Sequence, residues 1–389
     1  MKLKDVKLVR KAIVIGVFIA LIAIFSLLKL SEDVSEYFFA RGLSRGYVFV
    51  VGHITDIFGF SVFGVFVILA VCLLIFGIIR IIYLLKKKRR TDALSCLEKI
   101  VIAVLCVAFV YVATAGGCYN RKEMPLPKYE GEQLTSEKTA EIVRAYLTDF
   151  NEIADSLEYV DGKSVCPYTF DELADVLIDE YKRIDDNYFS SFTPHVKKAI
   201  TSKLMSYTGT CGITFQPLGE AVINYETPSC YLAVTAAHEL AHAKGVMRER
   251  DANLLAYYLL ITSDKPYLRY CGYMYSLRYL TATLSELDFE LYKEVMATYP
   301  RKAVTDRAKE DDFWLEKESW INDVSEFFND LYLKLSGVKE GTANYSDPSH
   351  IKQDTEIIDG KPVVTVKITY SDTAKMLIFN AMSRFGITV

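Results

Sequence analysis

The segment Ala236-Ala237-His238-Glu239-Leu240-Ala241-His242 sets two histidines four residues apart, with a glutamate directly after the first. On an α-helix, residues at i and i+4 share a face, so both imidazoles can reach one tetrahedral Zn2+. Glu239 is turned about 100° away from His238. It can therefore accept a proton from metal-bound water without being a ligand. The chain has only 5 histidines, and two of them fall here. Ala233, Ala236, Ala237, Ala241 and Ala243 surround them, small residues that let a helix pack closely beneath a site. The plainer reading of the same segment is an amphipathic helix with two surface histidines.

A catalytic zinc takes three protein ligands and keeps an open position for water. Gly245 is placed to end the first helix in a left-handed cap, and a second helix is expected from Arg248 to about Ile261. Glu249 and Asn253 lie four apart on it. Glu249 is the expected third ligand, and Asn253 the partner that holds a histidine in one tautomer. Asp251 is the alternative ligand, and a solvated charged turn is the alternative reading of residues 248–251. His195 and His350 have no ligand spacing, and His53 reads as interfacial. Tyr225, Tyr257 and Tyr258 are candidates to steady an oxyanion, drawn from 26 tyrosines. The run Gly219–Asn224 reads either as an edge strand that pairs with an extended substrate or as a core strand.

Three apolar segments precede this region: about Ala12 to Leu30, Val62 to Leu85 and Ile100 to Ala115. Each is long enough for a bilayer, which takes roughly 20 residues. No small-residue cleavage site follows the first, so it reads as an anchor rather than a signal peptide. Five cations lie between Lys2 and Lys11, and five more from Lys86 to Arg90. The loop from Ser31 to Ser61 has only Arg41 and Arg45. The positive-inside rule then places the N-terminus and the 86–99 loop in the cytoplasm and everything after the third span outside. Arg121 and Lys122 on the outer flank run against that pattern.

Beyond the spans, Met124–Pro127 reads as a stiff linker. Helices are expected from Thr135 or Ser136 to about Leu157, from Phe170 to Asp185 with Thr169 as cap, and from Pro194 to Tyr207. Asp161-Gly162 is a turn. Short β-rich runs at 212–215 and 221–225 predict a small sheet, followed by interrupted helices from about Ser229 to Leu335. Two strands from Thr355 to Tyr370 around Asp359-Gly360, and a helix capped by Ser371 running to about Arg384, complete the chain. The fold expected is a three-helix transmembrane region (1–118), a mainly α, zincin-like α+β domain with a small sheet (119–345) and a hairpin-plus-helix extension (346–389). Cys118, Cys166, Cys211, Cys230 and Cys271 lie outside the spans, with no CxxC pair; disulfides and free thiols remain open. A formal net charge of −4 supplies no basic field for nucleic acid.

The stretch HELAHAKGVMRERDANLLAYY, His238 to Tyr258, resembles a bacterial membrane-protein family of unknown function that joins three N-terminal spans to an HExxH domain. That family is grouped with the gluzincin-type zinc peptidases. Further matching stretches are Ser202–Tyr207, Gly219–Asn224 and Tyr332-Leu333-Lys334, and the resemblance covers about residues 10 to 345. It implies zinc on His238, His242 and an acidic residue of the following helix, with Glu239 as general base. Glu249-x-x-x-Asn253 is similar to the Glu-x-x-x-Asp arrangement of gluzincins, with Asn for Asp and a shorter gap after His242. Gly245 is similar to the metzincin pattern, but Arg248 stands at its last histidine position and cannot ligate.

These readings converge on a membrane-anchored zinc peptidase of a bacterial cell membrane, with the bilayer and extracytoplasmic peptides or proteins as partners. The alternative is a non-catalytic, membrane-tethered sensor or assembly module with a structural zinc site. The spans carry too little internal charge for a transporter. The HExxH segment lies more than 100 residues beyond the last span, which argues against hydrolysis inside the membrane.

Overall fold

Apolar runs of bilayer length dictate the N-terminal architecture. In a computed structural model of the chain, which describes residues 3–184, 189, 191, 193–358 and 361–389, these runs form α1 (Leu3–Leu28), α3 (Val62–Lys86) and α4 (Arg90–Ala113). All three are long and apolar enough to span a membrane. Their outer faces remain exposed although apolar, with Leu73 and Ile79 as examples. This is the expected surface of a helix whose solvent is lipid. α4 lies between the other two and packs against both. It begins ten residues before Ile100 because its polar first turns have partners: Glu98 is buried and pairs with Lys11 of α1 at 3.2 Å.

The segment between the first two spans is helical rather than a loop. A π-helical stretch (Val34–Ser44) runs into α2 (Arg45–Asp56). Its apolar residues Phe39 and Ala40 are buried with Ala115, Cys118 and Met247. Gly117 permits this contact, since a Cβ there would lie 2.1 Å from the Phe39 ring. Apolar burial therefore holds the inter-span segment to the residues that leave α4.

The remaining chain is mostly helical. α5 (Ser136–Ser156) starts on Thr135, and the hairpin β1 (Tyr159–Val160)/β2 (Lys163–Ser164) turns at Asp161 and Gly162, both with positive φ. α6 (Phe170–Lys182) has a Thr169/Glu172 capping box; Asp185, its expected end, lies outside the described residues. The helix expected over 194–207 is instead a strand, β3 (Val196–Lys198), and a short helix, α7 (Ser202–Tyr207). β3 pairs in parallel with β5 (Glu220–Ile223), and β4 (Gly212–Phe215) pairs antiparallel on the other side of β5, giving the order β3-β5-β4. Long-range pairing of Val196 and Lys198 with this strand overrides their local helical pattern.

The helices continue as α8 (Ser229–Ala243), α9 (Glu249–Thr262), α10 (Pro266–Ser276), α11 (Arg278–Leu287), α12 (Phe289–Met296), α13 (Arg301–Lys317) and α14 (Trp320–Ser336). The hairpin β6 (His350–Ile358)/β7 (Lys361–Thr369) follows, then α15 (Asp372–Phe385), capped by Ser371. The expected hairpin dipeptide Asp359-Gly360 lies outside the described residues. Ile368, Ala374, Leu377 and Ala381 share one core with Ile142, Tyr146 and Phe150 of α5. Met124 and Leu126 of the linker are buried in the same core. All eight cysteines are free.

One buried carboxylate docks a membrane helix onto the sheet. Glu220, at the start of the central strand, accepts from the Val62 and Phe63 backbone N–H groups at 3.0 and 2.7 Å and from Ser61 Oγ at 3.3 Å. It thereby caps the otherwise unsatisfied N-terminus of α3. Lys197 of β3 pairs with the same carboxylate at 2.8 Å. Glu220→Ala would remove the nearest carboxylate from a buried lysine and the acceptor from two helix-end donors, so we expect a loss of about 3–5 kcal/mol. A lowered thermal midpoint of the detergent-solubilised full chain would register it, and an unchanged midpoint would contradict this role.

Candidate metal centre

α8 is alanine-rich, and its residues from Leu232 to Ala243 are all buried. A helix enclosed on all sides presents its polar side chains to a cavity or to one another rather than to bulk water. Its end is set by Gly245, at φ 75°. Gly245 N donates to His242 O at 2.8 Å and Val246 N to Ala241 O at 3.1 Å, the paired bonds of a Schellman cap. The chain turns back at once into α9, whose first residue is Glu249.

That turn brings three donor atoms together. Glu249 Oε2 lies 3.1 Å from His238 Nε2 and 3.2 Å from His242 Nε2. The three side chains offer ligand atoms within 4.8 Å of one another, and all three are buried. The far nitrogens are also engaged: His238 Nδ1 meets Asn253 Oδ1 at 2.8 Å, and His242 Nδ1 meets Val246 O at 2.7 Å. Because both acceptors lack a proton, each Nδ1 carries an N–H, and each Nε2 faces the Glu249 carboxylate. Two imidazole nitrogens and one carboxylate oxygen, with outer partners fixing the tautomers, form a donor set suited to zinc.

The electrostatics fit the same arrangement. Burial disfavours charge on His242, but the adjacent Glu249 carboxylate outweighs it and pushes the imidazole up to about 9. Burial acts on Glu249 in the opposite sense, and the two histidines overcome it, holding Glu249 well below the carboxylate range. Glu239 differs. Burial raises it, and the histidines and Thr214 only partly offset that. Thr214 Oγ1 donates to Glu239 Oε2 at 2.8 Å. Among the described residues Oε1 has no hydrogen-bond partner; it faces Gly212, where a Cβ would fall 2.7 Å from it.

Asp251 stands apart from the cluster, its oxygens taken by Arg248 at 2.6 Å and Arg250 at 3.6 Å. Because Glu249 and Asp251 are both buried, residues 248–251 are not a solvated turn. His195 is exposed near Asp175, His53 sits on Phe49, and His350 opens β6. Tyr225 packs on Phe170 and under Lys198, Tyr257 packs on Tyr279, and Tyr258 is only partly buried. Among the described residues none of the three touches the cluster. The tyrosine that does is Tyr345, which stacks at 6.5 Å and 17° on the His238 ring. Its carbonyl accepts from Asn253 Nδ2 at 3.0 Å, and its hydroxyl from Asn329 Nδ2 at 3.4 Å. Nothing local marks it, since it lies about a hundred residues from the histidines, at the end of a short 3-10 helix (Gly341–Tyr345).

Of the two readings of residues 219–224, the core strand is the one found. β5 is paired on both sides, so the run Gly219–Asn224 offers no free edge, and β4 forms the border of the sheet. Asn224 N donates to Cys211 O at 2.8 Å. By antiparallel alternation, Ile213 and Phe215 also bond toward β5, while the backbone groups of Gly212 and Thr214 point outward.

Fold and site together define a membrane-associated, mostly helical protein with a buried His/His/Glu cluster beside the border strand of a small sheet. The chain belongs to the family described as Protein of unknown function (DUF3810), which it matches over residues 39–348. The match begins beyond α1 rather than near residue 10, and it takes in the other two spans, the sheet and the whole cluster. No curated protein and no solved structure matches the chain.

The geometry separates the two acidic candidates. Glu249→Ala should abolish tight zinc binding, whereas Asp251→Asn should retain about one zinc per chain, as read by metal analysis of the purified full chain. Retention of zinc by Glu249→Ala would remove that residue from the ligand set.

Proposed function

We propose that this protein is a membrane-anchored, zinc-dependent peptidase with a zincin-like catalytic domain acting on extracytoplasmic peptides or proteins. The observation that carries the reading is the convergence of His238, His242 and Glu249 with a fourth group, Glu239, buried beside them but outside the donor set. A closed structural site would call for a fourth ligand. Among the described residues no fourth histidine, cysteine or carboxylate joins the group.

His238 and His242 would hold the ion through Nε2, and Glu249 through Oε2. When bound, zinc supplies a Lewis acid that acidifies water and polarises a carbonyl. Glu239 is the proton carrier: Thr214 holds Oε2, leaving Oε1 free to take a proton, and burial raises the carboxyl toward the range useful for proton transfer. Gly212 and Thr214 offer outward backbone N–H and C=O groups to an extended peptide. A strand docked there would lie beside Glu239, because the Thr214 side chain bonds that residue. Tyr345, stacked on His238, supplies a phenol at the rim to face a developing oxyanion.

The same reading puts the N-terminus and the 86–99 loop in the cytoplasm and the catalytic domain outside. Its support is the cation asymmetry and the fate of the two residues that ran against it. Arg121 is buried against Glu36 and Lys122 pairs with Asp33 at 2.6 Å, so neither counts as a free outer cation.

Glu239→Gln should keep zinc while lowering peptide hydrolysis by about 10²–10⁴-fold, measured on a peptide library with metal content checked in parallel. Undiminished cleavage would reject the mechanism, and no cleavage by the wild type on any library would favour the structural-zinc module. Gly212→Ala should also keep zinc but lower turnover, since its Cβ would come within 2.6 Å of Glu239 Cγ. Full activity in that variant would show that the strand and the carboxylate have room to separate.

A further inference from the structure

Helix α14 has two faces that differ in what covers them. At about 100° per residue, Asn322, Asn329, Leu333 and Ser336 share one side. Leu333 and Ser336 are buried there, and Asn329 reaches the Tyr345 hydroxyl. On the opposite side Trp320, Val324, Phe327, Phe328, Leu331 and Leu335 fall within an arc of about 100°. All six are exposed: Trp320 by 73%, Phe327 by 65%, Phe328 by 61% and Leu335 by 78%. A continuous aromatic and aliphatic stripe of this kind marks an interaction surface.

Both ends of the helix are tied to the level at which the spans meet the domain. At its C-terminal end, Tyr111 of α4 bonds Tyr332 Oη at 2.9 Å and Ser336 Oγ at 3.0 Å. Lys29, just past α1, donates to Ser336 O at 3.1 Å. At its N-terminal end, Asn322 sits against Gly209 beyond α7, and Lys317 lies over the Tyr207 ring. Ile200, just before α7, packs on Gly64 in the first turn of α3. One end thus stands beside α1 and α4, and the other is linked through α7 and Ile200 to the start of α3, so the helix lies at the level where the spans meet the domain with its stripe uncovered.

We infer that α14 is an in-plane membrane helix, its apolar stripe seated in the bilayer leaflet nearest the catalytic domain. An exposed tryptophan and two phenylalanines on a one-sided helix match the chemistry of the interface. Its charged residues are Asp323, Glu326, Asp330 and Lys334, an acidic set. The attraction is therefore to acyl chains rather than to anionic headgroups, and neutral phosphatidylcholine suffices. The same helix bonds Tyr345, which stacks on His238, so the element that meets lipid also braces one wall of the site.

The test reads no hydrolysis and so stands apart from the peptidase reading. The chain has 2 tryptophans; Trp314 packs on Phe313 and Tyr231. Subtracting the emission of Trp320→Phe from that of the wild type isolates Trp320. The full chain is placed in phosphatidylcholine nanodiscs with or without bromine on the acyl chains. Trp320 emission should be blue-shifted, largely lost in brominated lipid and shielded from aqueous acrylamide. Phe327→Asp with Phe328→Asp should reverse the protection at unchanged helical content. If that double variant misfolds, the wild-type comparison still decides. Emission indifferent to brominated lipid overturns the inference, whether acrylamide reaches Trp320 (a stripe in water) or does not (a stripe covered by protein).

Discussion

Six residues separate His242 from Glu249, and within them the chain must stop one helix, reverse and start another with both side chains aimed at one point. Gly245 meets the first demand, because its left-handed backbone lets Val246 N close onto Ala241 O. The reversal then frees Val246 O to accept from His242 Nδ1, so the turn that ends the helix also orients the second imidazole. Glu249 arrives as the first residue of α9, where the helix N-terminus favours a carboxylate. The short gap that departs from the gluzincin pattern is accommodated by this compact turn.

The turn is not free-standing. Arg121, just beyond the third span, forms a bidentate pair with Glu36 at 2.9 and 3.1 Å and donates to Gly245 O at 3.3 Å. Arg248 donates in return to Arg121 O at 3.1 Å. Burial alone would raise Glu36, but the Arg121 and Arg41 guanidiniums hold it below the usual carboxylate range. A charge pair taken out of water is costly unless its geometry is good; here its hydrogen bonds join the inter-span helix, the exit from α4 and the turn between α8 and α9. On the other side of the domain, Glu220 caps α3 from the central strand, and Gln216, four residues earlier, donates to His242 O. The membrane helices and the cluster therefore share structural parts.

Local signals in the sequence located much of this. Apolar run length marked the three spans, Thr135, Thr169 and Ser371 marked helix starts through their own side chains, and the i, i+4 spacing marked the histidine pair, with Glu249 and Asn253 one turn apart on the next helix. What was not legible depends on partners distant in sequence. Residues 194–207 read as a helix until β5 arrives to pair with Val196. The inter-span segment reads as a loop until Ala115, Cys118 and Met247 cover Phe39. Edge and core readings of residues 219–224 stay open in the sequence because strand order is a tertiary fact, and the hydrophobic run of β5 fits a central strand as well as a border one. Tyr345 is invisible for the same reason, being one tyrosine among many until the fold sets it over His238.

The arrangement also bears on why the domain that holds the cluster would be built onto three membrane helices. A tether needs one span and a flexible linker; this chain has three bilayer-length helices, one of them capped by Glu220 of the domain, an inter-span helix whose Asp56 lies 3.7 Å from Lys197, and a linker whose Met124 and Leu126 are buried. Ordering so many contacts costs conformational entropy, which is offset here by apolar burial and by satisfied charges at the junction. The product is a fixed orientation of α8 and β4 relative to the helices. On the proposed peptidase reading, a site for freely diffusing peptides would gain nothing from such rigidity. A site whose substrate is itself held at the membrane gains alignment, because the extended edge of Gly212 and Thr214 then stands at a constant height and angle above the lipid.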